Sequence, residues 1–120
     1  MLYNVKKFHI ISQKRFIMIF VIAVSVLEAD CREKFIAAVK ENIPLVRAEN
    51  GCISYSLACD CESGLSAQIF DGENSVTFVE CWESVEHLKA HLQAPHMNVF
   101  REKVKGMRKS SSLKVLKVLA

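Results

Sequence analysis

The chain has 120 residues, which is enough for one hydrophobic core but too few for two separate domains. Its composition, 51% hydrophobic and 24% charged, is that of an ordinary globular protein. Residues 1–17 carry four basic and no acidic side chains, so the net charge of +3 falls to −1 for residues 18–120, and no basic surface remains that would bind nucleic acid.

The five cysteines are an odd number in a chain that can build a core without disulfides. We therefore expect reduced thiols and a cytoplasmic protein. The Cys59-Asp60-Cys61 segment has one residue between its thiols, whereas zinc sites use two to four. We interpret the cysteines as small, partly buried side chains.

The N-terminal region allows two interpretations. A basic pair followed by the apolar run Phe16–Val24 has the order of a signal peptide, and Leu27–Cys31 has the position of a lipoprotein cleavage site. Asp30 fits such a site poorly, and the run is far shorter than the ~20 residues of a membrane span. We therefore predict that residues 1–17 are an arm or a mis-called start, that the domain covers residues 18–120, and that no membrane is bound.

The first predicted strand, Met18–Leu27, is apolar on both faces and therefore needs cover on both sides. A helix follows, in which Asp30 is the expected N-cap and Glu33 completes a capping box. Pro44 is expected to kink or divide this helix, and Gly51 is expected to close it.

Alternating hydrophobicity predicts a strand at Cys52–Cys59 with one buried face. A loop leads to a short strand near Leu65–Phe70, and Asp71–Asn74 has the composition of a hairpin turn. One face of the next strand, Ser75–Trp82, consists of Val76, Phe78, Glu80 and Trp82. Glu80 is unusual there, because burying a carboxylate between two aromatic rings is costly without a partner.

The next helix begins after Ser84, its expected N-cap, and ends before Pro95. Helical periodicity predicts one buried arc in it, formed by Val85, Leu88 and Leu92. His91 borders this arc, whereas His87 is expected to face solvent. Three of the four histidines and the only tryptophan thus lie within residues 79–100.

A second helical segment follows Pro95, and residues 106–112 form a polar break. The last segment, Leu113–Leu119, is predicted to be a strand because it is short and rich in branched residues. The order of the elements predicts an α+β fold, a ferredoxin-like split βαβ arrangement with an antiparallel sheet and the helices on one face. The other face of the first strand then needs the sheet of a partner subunit, which predicts a homodimer.

Three motifs resemble the antibiotic biosynthesis monooxygenase family. They are Gly51-Cys52, Glu80-x-Trp82-Glu83-Ser84 and Leu88-x-Ala90-His91-Leu92-x-x-Pro95-His96. Within that family the chain is most similar to bacterial quinol monooxygenases, with which it also shares Asp60-Cys61, Gly64, His96-Met97 and Val104-Lys105-Gly106. The resemblance covers residues 18–120, and residues 1–17 have no counterpart.

The resemblance implies a dimeric α+β barrel that oxidises a quinol or a related polyphenolic aromatic with O2. It also implies that the protein holds no metal, haem or flavin, so that O2 is a co-substrate and no cofactor is expected. Such chemistry is physically reasonable, because an electron-rich phenolate can itself pass one electron to O2. The protein then needs only to deprotonate the substrate and to keep the radical pair away from water.

His91 is the first candidate for the base, because a histidine pKa near neutrality suits proton transfer and the residue borders the buried arc. His96, directly after Pro95, is expected to turn toward the same pocket. Glu80 is expected to orient His91 or to accept a substrate hydroxyl. Each has a structural alternative: hydrogen bonding at the edge of the core for a histidine, and an ion pair at the barrel mouth for Glu80.

Trp82 is the candidate for stacking on a flat aromatic substrate, although a lone tryptophan in a strand is also a common core residue. The remaining candidates line the pocket or belong to plain core, and the sequence does not separate the two roles. They are Phe20, Ile22, Val24, Phe78, Met97 and Phe100.

A zinc site formed by His87, His91 and His96 is an alternative, since the first two stand one helical turn apart. Pro95 interrupts the helix before His96, and His87 is expected to face solvent. We therefore expect no metal site.

Three other functions are weighed. Haem-degrading relatives carry an asparagine on the first strand and a histidine late in the second helical region, where this chain has Val24 and, approximately, Arg101. An isomerase of a phosphorylated signalling sugar of the autoinducer-2 type needs a phosphate cradle, but no glycine-rich loop or arginine cluster stands near the motifs. The alternative from another class is a non-catalytic dimeric module that binds a small aromatic molecule.

Overall fold

Four strands and three helices follow one another along residues 17–120, the part of the chain that the computed structural model describes. The elements are β1 (Ile19–Leu27), α1 (Arg32–Arg47), β2 (Cys52–Ala58), β3 (Ser75–Trp82), α2 (Val85–Leu92), α3 (Pro95–Lys103) and β4 (Arg108–Lys117). The predicted N-terminal extension, residues 1–17, lies outside this part except for its last residue. Among residues 17–120, no helix is both long and apolar enough to cross a bilayer.

The strands form one antiparallel sheet in the order β2-β3-β1-β4. This is the ferredoxin-like arrangement, so the predicted α+β fold class is confirmed. In β1 the side chains of Ile19 and Val21 are buried, whereas Phe20 between them is exposed. The helices therefore cover one face of the sheet, and there Phe35 of α1 and Trp82 of β3 join the same core.

None of the helices within residues 17–120 lies on the opposite face of the sheet. We call it the open sheet face, and it includes Phe20, Ile22, Val24, Val79 and Leu116. Phe20, Val79 and Leu116 are exposed, while Ile22 and Val24 at the centre of β1 are half-buried by their neighbours. As the sequence predicts, β1 has an apolar side chain on each of its two faces.

The predicted capping box of α1 is wrong. Asp30 has a left-handed φ of 69°, which moves its side chain away from the cap position, and Cys31 takes the N-cap without a side-chain hydrogen bond. Pro44 does not divide the helix either. It stands in the last turn, where Ala48 donates its N–H to the Pro44 carbonyl, so only the exposed Lys40 carbonyl loses an intrahelical partner.

Gly51 does not close α1, because the helix ends at Arg47. Gly51 instead lies in the turn that leads into β2, with a left-handed φ of 82°. A Cβ added there would lie 2.2 Å from the imidazole ring of His87. The glycine therefore lets the α1–β2 turn pass directly against α2.

The predicted strand near Leu65–Phe70 does not form, and residues 59–74 are a loop. The carboxylate of Asp60 accepts hydrogen bonds from the backbone N–H groups of Asp71 and Gly72, at 2.8 and 2.9 Å. Gln68 donates to the Cys61 carbonyl from within the same loop. These local partners take the place of a strand ladder, so the apolar pattern alone was misleading.

The last strand begins earlier than predicted. β4 starts at Arg108, inside the predicted polar break, and its three consecutive serines pair with the end of β1. Backbone pairing on an exposed edge strand does not require apolar side chains, so hydrophobicity gives the wrong start.

Ser84 caps α2 as predicted, because its hydroxyl accepts a hydrogen bond from the N–H of His87. The predicted buried arc is wrong at Val85 and Leu92, which are exposed, whereas Leu88 and His91 are buried. α2 has only about two turns. The rest of the fold therefore covers a narrower part of its surface than its apolar residues occupy.

Candidate active site

A cavity of about 130 Å³ lies between the sheet and the two short helices, α2 and α3. Its apolar wall includes Val21, Ala23, Phe78, Leu88, Met97 and Phe100. Four polar side chains also reach it, namely Tyr55, Glu80, His91 and Arg108. An apolar cavity with a few convergent polar groups is the usual form of a small-molecule site.

His91 is the central polar residue of this site, with 2% of its side chain exposed. Its Nδ1 lies 2.7 Å from Oε2 of Glu49, and because a carboxylate only accepts, Nδ1 carries the hydrogen. Nε2 is then the nitrogen that remains for a ligand in the cavity. Burial lowers the pKa of His91, and the bond to Glu49 opposes this shift.

Glu49 is a site residue that the sequence did not reveal. It lies in the turn after α1, two residues before Gly51, and its Oε2 accepts from both His91 and His96, the latter at 2.8 Å. The only signal in the sequence is its position beside the Gly51-Cys52 motif. The fold brings it to a histidine that is 42 residues away in the chain.

Glu80 lies in the cavity wall, as proposed from the sequence, but it does not contact His91 in the way expected. Its Oε1 accepts a hydrogen bond of 2.9 Å from Nε1 of Trp82, and Glu49 is the carboxylate that orients His91. Burial raises the pKa of Glu80, Trp82 lowers it, and the nearby Glu49 raises it further. Opposite shifts at His91 and Glu80 favour a neutral base and a neutral acid in one cavity.

Trp82 has 0% of its surface exposed, so within this protomer it offers no face for stacking on a substrate. Its indole packs on the imidazole of His91, with ring centroids 4.7 Å apart. Trp82 is therefore a core residue, which was the alternative to a stacking role. Through these contacts Trp82 supports the His91 ring and holds Glu80.

The six lining candidates divide by face. Phe78, Met97 and Phe100 line the cavity. Phe20, Ile22 and Val24 do not, because successive side chains of a strand point to opposite faces and these three belong to the open sheet face. Val21 and Ala23 take the cavity positions on β1 instead.

His87 and His96 also differ from expectation. His87 is half-buried rather than facing solvent, with its Nδ1 2.6 Å from the Ser84 hydroxyl, and it does not join the other two histidines. His96 does not line the cavity, and it joins the site by its hydrogen bond to Glu49. The ligand atoms of Glu49, His91 and His96 lie within 4.8 Å of one another, so within residues 17–120 these three residues form a group that could hold a metal ion.

Two further cavity residues were missed. Arg108 belongs to the segment predicted as a polar break, but it is the first residue of β4. Its guanidinium lies over the Phe35 ring, and its Nε donates a hydrogen bond of 3.0 Å to the Ser25 hydroxyl. Burial lowers the pKa of Arg108. Tyr55 packs against Phe78 and His91, and burial raises the pKa of its phenol. Arg108 thus supplies positive charge to an apolar cavity.

Solved structures of other proteins have the same fold. Rv0793 from Mycobacterium tuberculosis superposes with a TM-score of 0.71 at 25% identity, over 86% of this chain and 96% of that one. SO0527 from Shewanella oneidensis gives 0.70 at 24% identity, over 84% of this chain and 90% of that one.

Sequence comparison gives relatives as well. The probable quinol monooxygenase YgiN of Escherichia coli (strain K12) is 40% identical over 74 residues, which are 62% of this chain and 70% of that protein. The uncharacterized protein sll1783 of Synechocystis is 32% identical over 93 residues, 77% of this chain and 57% of that protein. The family model for antibiotic biosynthesis monooxygenase matches residues 18–103, and the chain belongs to this family.

Proposed function

We propose that the protein is a cofactor-independent monooxygenase that oxidises a quinol or a related polyphenolic aromatic with O2. One observation carries the proposal. His91 stands in the wall of an apolar cavity with its Nδ1 held by Glu49, which leaves the lone pair of Nε2 for a substrate hydroxyl. The similarity to a probable quinol monooxygenase supports the choice of substrate class.

The first step is deprotonation of the substrate. Nε2 of His91 takes the proton of one quinol hydroxyl, and the Glu49 carboxylate stabilises the imidazolium that forms. The quinolate then passes one electron to O2, which leaves a semiquinone radical and superoxide. The guanidinium of Arg108 in the same cavity stabilises these negative charges as they form.

The two radicals combine to make a bond between a ring carbon and oxygen. His91 returns its proton to the outer peroxide oxygen. Loss of the proton on that ring carbon and of hydroxide from the peroxide, which together make one water, leaves a hydroxyquinone. The quinol and O2 are thereby converted to hydroxyquinone and water, with both electron pairs taken from the substrate.

We propose further that the enzyme acts as a homodimer in the cytoplasm. Pairing of two open sheet faces would bury Phe20, Ile22 and Val24 and form the dimeric barrel. The cytoplasm suits the five free cysteines, two of which are exposed.

The test is oxygen uptake by the metal-stripped protein with a reduced naphthoquinol, against a blank without protein. We expect uptake well above the blank that persists with chelator and falls at least ~10-fold in His91→Ala. Because His91 packs on Trp82, His91→Gln is measured as well, since it keeps more of the side-chain volume. Uptake equal to the blank would refute the proposal, and tight quinol binding without turnover would favour the aromatic-binding module.

A further inference from the structure

Three potential metal ligands from three different elements meet at Glu49. Its Oε2 lies 2.7 Å from Nδ1 of His91 and 2.8 Å from Nε2 of His96. Glu49 comes from the α1–β2 turn, His91 from α2 and His96 from the first turn of α3. Their side chains are 13%, 2% and 22% exposed, so the cluster is largely removed from water.

We propose that Glu49, His91 and His96 form a binding site for a divalent transition-metal ion. Two imidazoles and one carboxylate are a donor set that zinc and its neighbours in the first transition row accept. Around a tetrahedral zinc ion with bonds of about 2.1 Å, neighbouring ligand atoms lie roughly 3.4 Å apart. The two nitrogen–oxygen pairs therefore need to open by roughly 0.7 Å, the two nitrogens, which lie within 4.8 Å of each other, need to approach that spacing, and a solvent molecule can complete the coordination.

An ion can reach the cluster without crossing the apolar cavity. His96 also lines a second cavity, of about 200 Å³, between α1 and α3. Asn42 and the ion pair of Glu41 with Lys103 lie along the same groove. The groove, which has both polar and apolar walls, thus leads from the surface to His96.

The charges around the cluster are mixed. Two carboxyl groups stand near one another, and the charge of Glu49 is one of the causes that raise the pKa of Glu80, after burial. Arg101 is the cation that faces His91, but its guanidinium is already engaged by the Leu92 carbonyl and the Asn98 side chain. Neutral imidazoles and a carboxylate leave one negative charge for the ion to neutralise.

Binding of the ion would also control the chemistry proposed for His91, and this part rests on the proposed function. A metal bound to Nδ1 uses the lone pair of that nitrogen, so the hydrogen of the neutral ring must sit on Nε2. Nε2 then donates instead of accepting, and it cannot take a proton from the substrate. The ion is therefore an inhibitor of oxygenation and not a cofactor.

The first experiment measures binding alone. Zn²⁺ is titrated into the full chain against a chromophoric chelator, in a Cys59→Ser/Cys61→Ser background that removes the two exposed thiols. We expect one ion per chain, with affinity at least ~10-fold weaker in Glu49→Gln and in His96→Gln. The matched control is His87→Gln, because His87 is a histidine outside the cluster. This variant is expected to bind Zn²⁺ with the same affinity as the background protein.

Two outcomes would overturn the site: equal Zn²⁺ affinity in all variants, or loss of Zn²⁺ binding in the Cys59→Ser/Cys61→Ser background relative to wild type. Circular dichroism verifies that each variant folds. If one does not, Co²⁺ bound to the wild-type protein decides, because thiolate ligands give intense charge-transfer absorption, which would overturn the site, and nitrogen and oxygen ligands do not.

The second experiment adds Zn²⁺ to the oxygen-uptake assay. We expect uptake to fall as the site fills and to return with chelator. Full uptake with the site saturated would refute the inhibitory role while leaving the site itself intact. A protein that binds Zn²⁺ through the cluster but never consumes oxygen would instead refute the proposed oxygenase function, so the two failures are distinct.

Discussion

Glu49 decides which nitrogen of His91 carries the hydrogen. The 2.7 Å bond fixes the hydrogen on Nδ1, and packing of Trp82 and Tyr55 against the ring limits its rotation. A base that is held in one tautomer loses little orientation entropy when the substrate binds. The carboxylate also offsets part of the cost of creating a positive ring in a buried site, which desolvation makes unfavourable.

We therefore expect Glu49→Gln to lower the rate of quinol oxidation at least ~10-fold while the fold persists. The amide oxygen can still accept from Nδ1, so geometry is largely kept, but the charge that stabilises the imidazolium is lost. Oxygen uptake gives the rate and thermal unfolding gives the stability. Glu83→Gln is the matched control, because Glu83 is a half-buried carboxylate near His87 and outside the cavity. Equal rates for Glu49→Gln and wild type would show that Glu49 does not assist the base.

At the scale of elements, the α1–β2 turn holds the site together, because it carries Glu49 and passes against α2 at Gly51. The N–H of Glu83 also donates to the Gly51 carbonyl at 2.9 Å, which ties the turn to the end of β3. Close approach of the turn and the helix requires that no side chain stand at position 51.

Gly51→Ala is expected to destabilise the protein more than Gly106→Ala. Both glycines have nearly the same left-handed φ, 82° and 81°, so both substitutions cost about 1–2 kcal/mol in backbone conformation. Only at Gly51 does the new Cβ meet another group, the His87 ring, whereas nothing lies within 4 Å at Gly106. Urea unfolding measures the difference, and equal losses in the two variants would mean that the turn does not depend on this contact.

The local sequence pattern predicted most of the helices and strands but few of the contacts between the residues of the site. Hydrophobic alternation and capping depend on neighbouring residues, which is why β3 and the Ser84 cap of α2 were found. The Glu49–His91 contact and the return of Arg108 to the cavity depend on how distant elements pack, and no local period encodes that. Local pattern also failed in places, at the Asp30 capping box and at Leu65–Phe70. In the second case the Asp60 carboxylate binds the backbone N–H groups that follow the segment, and a loop forms in place of a strand.

For the whole molecule, the open sheet face is the feature that residues 17–120 of a single chain leave uncovered. Phe20 pairs with Leu116 across β1 and β4, Val79 pairs with Ile22 two residues further along β1 on the same face, and Phe20, Val79 and Leu116 are all exposed. The half-buried Ile22 and Val24 continue the apolar surface along β1. Exposed apolar patches on this scale are typical of contact surfaces between proteins. Two copies related by a twofold axis can cover both patches at once.

We predict that the wild-type protein sediments as a dimer and that Val79→Lys sediments as a monomer. In a twofold interface each substitution places two buried ammonium groups against apolar partners, and charge burial without a counter-ion is strongly unfavourable. Val99→Lys is the matched control, because Val99 is an exposed valine on α3, away from the sheet. Analytical ultracentrifugation over a range of concentrations gives the dissociation constant of each variant. A monomeric wild type, or a Val79→Lys dimer as stable as that of Val99→Lys, would show that the open sheet face is not the interface.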